Sequence, residues 1–220
     1  MGSIRGVLLD VDGTLVDSND AHARAWEKAL AEFGVDASYD EIRERIGKGG
    51  DKMIGELAGW SDESPEGRKL SERRQEIFLK EYLPTIQAFP KASELLARMH
   101  DAGLKLVVAT SAKDVEMQPL LLRCGADRYI EEKTSSDDAE RSKPDPDIVH
   151  AALERIGLPA DEVIMLGDTP FDVEAAEDAG VRTIALRSGG WGPDGLAGAI
   201  AIYDDAADLL AHYDSSPLAN

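Results

Sequence analysis

The stretch GVLLDVDGTLVDS, residues 6–18, decides the fold prediction, because it joins a short apolar run to a group of aspartates. The run Val7–Leu9 is typical of a strand buried on both faces of a parallel sheet. Asp10 and Asp12 follow it, face the same way in an extended segment, and precede a turn that Gly13 allows. In a parallel α/β sheet, ligands bind beyond the carboxyl ends of the strands, so this stretch predicts a site there.

The rest of the sequence predicts further strands of this sheet and the helices that cover it. Three further apolar runs are typical of buried strands, at 104–109, 163–166 and 182–186, and helical patterns cover 92–101, 115–123, 147–156 and 171–179. Alternation of strand and helix predicts an α/β fold, a Rossmann-like parallel sheet flanked by helices. Asp145 and Thr169, each followed by a proline, are the predicted N-caps of the last two helices.

Residues 19–86 break this alternation, because they contain helical patterns and no convincing strand. The first helix ends at Gly34, and Ser38 with Glu41 has the spacing of a capping box that starts a second. Two more helical stretches follow. We therefore predict an inserted all-helical cap at 18–86, with the α/β core formed by 1–17 and 87–220.

Composition and charge exclude several classes of partner. The 220 residues are 43% hydrophobic, and 24 basic against 43 acidic residues give a net charge of −19, which repels nucleic acid and anionic membranes. No apolar run reaches the roughly 18 residues of a membrane span, and we find no signal-peptide pattern. The single cysteine, Cys124, is expected in the core and suits a reducing compartment. We expect a cytoplasmic protein with no nucleic-acid or membrane partner, whose tail from Tyr213 is disordered; its oligomeric state stays open.

A second acidic pair follows another predicted strand. Asp168 comes directly after the run at 163–166, and Asp172 lies in the first turn of the next helix. If both strands are central, these carboxylates converge with Asp10 and Asp12, and such like charges stay ionised only beside a cation. Oxygen ligands without cysteine or histidine favour Mg²⁺, so the sequence predicts a magnesium site.

Two more polar signals fall at the same edge of the predicted sheet. Thr110 and Ser111 end the strand at 104–109, and Lys143 lies just before a helix. Hydroxyls, backbone amides and an ammonium group together hold an anion beside a metal, and that anion is most simply a phosphate.

The complete set of motifs resembles the haloacid dehalogenase superfamily of phosphotransferases, in the subgroup with a helical cap after the first motif. The matching segments, in chain order, are DVDGTLVD, VVATSA, SKPDPD and GDTPFD. The resemblance implies that Asp10 attacks phosphorus and that Asp12 first protonates the leaving alcohol and then deprotonates water. It also implies that Thr110 binds a phosphoryl oxygen and that Lys143 binds both phosphate and Asp10.

The same resemblance implies the metal ligands and the reaction. Mg²⁺ would be held by the side chains of Asp10 and Asp168 and the backbone carbonyl of Asp12, supported by Asp172. The expected enzyme is a phosphoric monoester hydrolase that acts on a small phosphorylated metabolite. Members that cleave carbon–halogen bonds lack an acid at the position of Asp12, so phosphoryl transfer is favoured here.

Two alternatives stay open. HARAW, residues 22–26, resembles β-phosphoglucomutase-like members and favours a sugar phosphomutase, whereas GDTPFD, with Gly167 where those mutases carry an acid, favours the phosphatase. A binding protein on the same scaffold would have lost a motif residue, and none is lost.

The predicted cap offers only a few candidate substrate contacts. His22 shares a helix face with Trp26, and Lys48 lies in a glycine-rich loop expected to face the site. The alternatives are an exposed histidine and a plain surface turn. We therefore name Ser111, His22 and Lys48 as candidate substrate-binding residues. For Arg74 we expect a solvated helix face, with a substrate contact as the alternative.

Overall fold

The computed structural model describes residues 3–130 and 132–219. One parallel sheet holds the strands β1 Gly6–Leu9, β2 Lys105–Ala109, β3 Glu132–Thr134, β4 Val163–Gly167, β5 Arg182–Leu186 and β6 Ala201–Tyr203. Their order across the sheet is β3-β2-β1-β4-β5-β6, so β1 is central with β2 and β4 as its neighbours. The predicted Rossmann-like sheet is confirmed, and the short strands β3 and β6 are additions to the prediction.

The register of the central strands sets the position of the site. Leu9 at the end of β1 pairs with Val108 of β2 on one side and with Leu166 of β4 on the other. The three strands therefore end at almost the same level. The residues that follow them, among them Asp10 and Asp168, emerge together at one edge of the sheet.

Helices cover both faces of the sheet, which accounts for the continuous apolar character of its central strands. They are α5 Ala92–Asp101, α6 Asp114–Cys124, α7 Asp147–Ile156, α8 Pro170–Asp178 and α9 Ala206–Ala211. Leu9 and Leu166 pack with α5, α6 and α9, whereas Leu8 and Met165 pack with α7 and α8. Cys124 is buried at the end of α6, as predicted.

The predicted all-helical insertion lies between β1 and α5. It consists of α1 Asn19–Glu32, α2 Tyr39–Arg43, α3 Gly50–Ala58 and α4 Pro65–Ile77, followed by a π-helical turn at Phe78–Tyr82. The chain enters and leaves it at one place, where Asp17 N donates to Gln87 O and Phe89 N donates to Leu15 O, both at 3.0 Å. These paired crossings support our proposal that the cap extends from residue 18 to residue 86.

Two of the predicted helix caps are confirmed and one is wrong. The capping boxes that begin α2 at Ser38 and α8 at Thr169 are present, and Thr169 had been predicted as an N-cap. The prediction for Asp145 is wrong, because α7 begins at Asp147 after Pro146 and no side chain caps it. The Asp145 carboxylate instead binds Lys52 at 2.5 Å, since a charged partner from the cap competes for it.

The prediction of a disordered tail is also wrong for residues 213–219. Tyr213 and Leu218 are each only 3% exposed and belong to the hydrophobic core. Two well-spaced apolar side chains are enough to fix a short tail against α5 and α9, although they form no periodic pattern that sequence analysis detects. Within the described residues, no helix has the length and apolar character needed to cross a membrane.

Candidate active site

Asp10 lies where β1 leaves the sheet. Its amide still donates to Leu166 O at 2.9 Å, which extends the β1–β4 ladder by one bond and fixes the backbone of Asp10. The side chain is buried, and its Oδ1 accepts from Lys143 Nζ at 2.7 Å. The rigid strand end thus holds the carboxylate at the sheet edge, as the sequence predicted.

Lys143 connects two carboxylates of the site. Its Nζ donates to Asp10 Oδ1 at 2.7 Å and to Asp172 Oδ1 at 2.6 Å, and the residue is only 1% exposed. Burial by itself would lower the pKa of Lys143, but the charges and hydrogen bonds of Asp10 and Asp172 outweigh burial and raise it. The ammonium group therefore remains charged inside the protein.

The start of α8 holds Asp172. Its Oδ2 accepts from the amide of Asp168 at 3.2 Å and from the amide and hydroxyl of Thr169 at 3.0 and 2.7 Å. Gly167 makes room for this arrangement, since a Cβ there would lie 2.5 Å from Asp172 Cγ. A helix N-terminus, a capping box and a glycine together fix Oδ2 and leave Oδ1 to Lys143.

Asp168 is buried, and its hydrogen-bond donors among the described residues are neutral. Thr14 Oγ1 donates to Oδ1 at 2.8 Å and Asn19 Nδ2 to Oδ2 at 2.9 Å. Burial raises the pKa of Asp168 well above its ordinary value, and the charges of Asp10 and Asp172 raise it further. Gly13 and Gly189 press against this carboxylate so closely that a Cβ at either position would overlap it.

The donor set fits a divalent cation. Carboxylate oxygens of Asp10, Asp168 and Asp172 lie within 4.8 Å of one another. Burial raises the pKa of Asp10 to about 7 despite the opposing charge of Lys143, which shows that one ammonium group does not neutralise the cluster. Asn19 Oδ1 is also buried without a hydrogen-bond partner among the described residues. Hard oxygen donors with excess negative charge are what Mg²⁺ prefers.

Asp12 faces the cap rather than this cluster. Its Oδ1 accepts from Ser18 Oγ at 2.5 Å and lies 2.8 Å from His22 Nε2, and the His22 ring stacks on Phe78 with centroids 3.9 Å apart. Burial would raise the pKa of Asp12, but His22, Ser18 and Arg74 outweigh burial and lower it. A ligand role for Asp12 thus rests on its backbone carbonyl, and that role stays a prediction. His22 is buried, so the alternative of an exposed histidine is wrong.

Thr110 and Ser111 lie beside the two aspartates. They line one pocket with Asp10 and Asp12. Thr110 Oγ1 accepts from Ala112 N at 3.1 Å, which turns the chain after β2. Ser111 Oγ is buried without a hydrogen-bond partner among the described residues, so a donor is left over at the pocket.

Lys48 lines the same pocket from the cap, as the sequence predicted. Its Nζ donates to Glu56 Oε1 at 2.6 Å and lies 5.0 Å from the centroid of the Phe171 ring. Lys52, which lies in the first turn of α3 directly after this loop, binds Asp145 instead. The loop is therefore tied to the core, and only Lys48 of the two lysines faces the pocket.

Sequence reasoning missed three groups of this site and misplaced a fourth. Thr14 and Asn19 hold Asp168, and both lie next to the first acidic motif, so their polar character beside a strand end was an available signal. Glu116 lies in an otherwise ordinary amphipathic helix and gave no signal. The expectation that Arg74 lies on a solvated helix face is wrong. Arg74 is 8% exposed and paired with Glu116, because the side of α4 that carries it packs against the pocket.

Comparisons with known proteins bear on this geometry. The family model for haloacid dehalogenase-like hydrolases matches residues 7–186. Phosphoglycolate phosphatase of Yersinia pestis is 33% identical over 192 residues, covering 85% of this chain and 82% of that protein. A hydrolase from Pseudomonas syringae superposes with a TM-score of 0.89 at 33% identity, covering 96% of this chain and 98% of its own. β-Phosphoglucomutase from Clostridium difficile, 16% identical, has a TM-score of 0.85 over 98% of this chain and 97% of its own, which is a likeness of fold alone.

Proposed function

This chain belongs to the haloacid dehalogenase-like hydrolase family and is a phosphatase, and from that premise we propose that it hydrolyses a small phosphomonoester with Mg²⁺ through an aspartyl-phosphate on Asp10. The observation that carries the proposal is the contrast between two neighbouring carboxylates. Asp10 is bound to Lys143 inside the acidic cluster, whereas Asp12 turns away to Ser18 and His22. This contrast supports a nucleophilic role for Asp10 and an acid–base role for Asp12.

The proposed reaction has two steps. In the first, an oxygen of Asp10 attacks phosphorus, the bond to the leaving oxygen breaks, and Asp12 gives its proton to that oxygen. In the second, Asp12 takes a proton from water, which attacks phosphorus and releases inorganic phosphate and the Asp10 carboxylate. The lowered pKa keeps the Asp12 carboxylate ionised in the free enzyme, so the proton for the first step would enter with a monoprotonated substrate.

Other residues position the phosphoryl group. Lys143 is placed to offset negative charge at Asp10, while Thr110 and Ser111 offer hydroxyl groups at the same pocket. Bound Mg²⁺, held by Asp10, Asp168 and Asp172, would supply a fixed positive charge for the transferring group. Because charge stabilisation dominates phosphoryl transfer, these fixed groups carry most of the proposed catalysis.

The substrate class follows from the relatives and from the cap. Phosphoglycolate is the first candidate, since it is named for the relative from Yersinia pestis. The pocket between core and cap encloses about 50 Å³, far less than the roughly 300–1,000 Å³ of pockets for drug-sized ligands. A small metabolite therefore fits better than a macromolecule. We also propose a cytoplasmic location, which the single thiol suits.

The test is phosphate release from a panel of phosphomonoesters with and without Mg²⁺. The panel contains phosphoglycolate, hexose phosphates, glycerol phosphate, nucleoside monophosphates and an aryl phosphate. We expect release that needs Mg²⁺ and falls at least about 1,000-fold in Asp10→Asn, because the nucleophile is lost. Asp17→Asn is the matched control, since Asp17 is an exposed aspartate of the same motif. Release that persists in Asp10→Asn would overturn the mechanism.

A sugar phosphomutase is the second candidate, and the contact between His22 and Asp12 is the observation that favours it. Its signature is an isomerised sugar phosphate in place of free phosphate. If the panel releases no phosphate, conversion of β-glucose 1-phosphate becomes the decisive assay.

A further inference from the structure

Arg74 of α4 is a buried cation at the wall of the active-site pocket. Its side chain is 10% exposed, and its Nη1 donates to both Oε1 and Oε2 of Glu116 at 2.8 Å. Glu116, in α6 of the core, is fully buried. The Arg74 guanidinium carbon lies 5.1 Å from the centroid of the Trp26 ring, within the range of a cation–π contact. Contacts with α1 and α6 thus fix the position of this side chain of α4.

One nitrogen of this guanidinium is left without a hydrogen-bond partner among the described residues. Both hydrogen bonds to Glu116 come from Nη1. The pair therefore lacks the bidentate geometry in which two arginine nitrogens each donate to one carboxylate oxygen. Nε is buried and has no hydrogen-bond partner among the described residues. A buried donor without an acceptor is unfavourable, so Nε would be stabilised by donating to an oxygen of a bound ligand.

Arg74 belongs to the pocket that holds the reacting groups. Arg74 and Glu116 line it together with Asp10, Asp12 and Thr110. The phosphoryl group is assigned to the core side, at Asp10 and Thr110. Arg74 comes from the cap, so what it contacts is the part of the substrate that leaves as the alcohol.

The other cap cation of this pocket is already satisfied. Lys48 Nζ donates to Glu56 at 2.6 Å and sits over the Phe171 ring. Its ammonium group is also a compact charge without the planar edge that matches a carboxylate. Of these two cations, Arg74 has the unused and desolvated donor.

We propose that Arg74 is a specificity-determining residue whose unpartnered Nε, together with Nη2, donates to a carboxylate on the leaving alcohol, so that the preferred substrate is a phosphomonoester of a short hydroxy acid. This inference rests on the proposed phosphatase function. Glu116 is a positioning residue, because it holds Nη1 and neutralises the buried charge while the pocket is empty of substrate. The small pocket favours a short hydroxy acid over a long one.

Two substrates of nearly equal size test the proposal. Phosphoglycolate carries a carboxylate where 2-hydroxyethyl phosphate carries a hydroxymethyl group. We expect wild-type kcat/KM to favour phosphoglycolate by about 10- to 100-fold, the discrimination expected of one desolvated, charge-assisted contact. Arg74→Lys keeps the charge beside Glu116 and removes the planar edge, so the preference should fall to less than about threefold, because kcat/KM falls more for phosphoglycolate than for 2-hydroxyethyl phosphate.

The controls separate recognition from folding. Arg73→Lys changes the adjacent arginine, which pairs with Glu32 outside the pocket, and should leave the preference unchanged. The double variant Arg74→Gln, Glu116→Gln removes both buried charges together, and it too should lose the preference while still cleaving 2-hydroxyethyl phosphate. Titration of each ester into Asp10→Asn by calorimetry should give the same ranking as binding constants.

The outcomes are distinguishable. If wild-type enzyme cleaves both esters without preference, or if Arg74→Lys loses activity equally on both, the inference about Arg74 is overturned while the phosphatase function stands. If wild-type enzyme releases phosphate from neither ester nor from any member of the wider panel, the proposed function itself fails.

Discussion

The two walls of the pocket are built in different ways. On the core side, Asp10, Asp168 and Asp172 are fixed by strand ends and a helix start, and one ammonium group, Lys143, bridges two of them. On the cap side, the cations Lys48 and Arg74 are each held by a single carboxylate side chain, from Glu56 and Glu116. Backbone geometry positions the first wall, and side-chain ion pairs position the second.

This difference indicates what each wall contributes. The backbone of each core aspartate is fixed at a strand end or at the start of a helix, so the position of its carboxylate suits a reaction that tolerates little displacement. A cap ion pair changes with one substitution and leaves the sheet intact. We therefore expect core substitutions to abolish the reaction or unfold the protein, and cap substitutions to change rate or substrate preference.

The largest effect should follow replacement of Lys143 by methionine. Asp10 and Asp172 would then be buried without their cation, and breaking such a network typically costs about 3–5 kcal/mol of unfolding free energy. Urea denaturation at pH 8 in EDTA measures this loss, and phosphate release should be abolished as well. The matched control is Lys80→Met, since Lys80 forms an exposed pair with Glu76 and should contribute about 0.5 kcal/mol or less.

The loss of unfolding free energy in Lys143→Met should also depend on pH. The pKa of Asp10 is already about 7 in the folded protein, and loss of Lys143 would raise it further. A carboxyl whose folded pKa exceeds its unfolded pKa destabilises the fold above the folded value and less so below it. The deficit of Lys143→Met should therefore shrink as the pH falls from 8 towards 5.5. A deficit that grows on acidification would contradict this account.

An intermediate effect is expected from a methyl group placed against Asp168. In Gly189→Ala the new Cβ overlaps the Asp168 carboxylate, so either the loop or the carboxylate must shift. We expect a loss of about 1–3 kcal/mol in unfolding free energy and weaker Mg²⁺ binding by calorimetry. Gly192→Ala, in the same loop, has nothing within 4 Å of its Cβ and should change stability by less than about 0.5 kcal/mol. Equal behaviour of the two variants would show that this loop does not constrain Asp168.

The smallest effect should come from the cap residue that touches the acid–base group. His22→Gln removes the ring that contacts Asp12 and stacks on Phe78. We expect kcat to fall about tenfold with little change in KM or stability, because Asp12 is oriented less well. His100→Gln, an exposed histidine of α5, is the control. A fall in kcat as large as that of Asp10→Asn would mean that His22 takes part in the chemistry itself.

How far prediction reached depends on the kind of interaction that fixes each element. The central strands and the carboxylates after them are local patterns, since burial on both faces and charge at a strand end are visible in a few consecutive residues. The short strands β3 and β6 and the packed tail have no such pattern, because tertiary contacts stabilise three or four residues at a time. Asp145 shows the same limit in a single residue: its sequence context favours a helix cap, yet Lys52 of the cap binds it.

The sequence by itself determined the α/β class, the helical insertion, and the residues Asp10, Asp12, Thr110, Lys143, Asp168 and Asp172 as one candidate site. Only the tertiary structure decided that Asp12 turns to His22, that Asp168 rests on Thr14 and Asn19, and that Arg74 is buried against Glu116. The physical reason is how far apart in the sequence the interacting residues lie. Strand ends and caps are set by neighbours in the chain, whereas the direction of a carboxylate and the burial of a cation depend on partners from elements far apart in sequence.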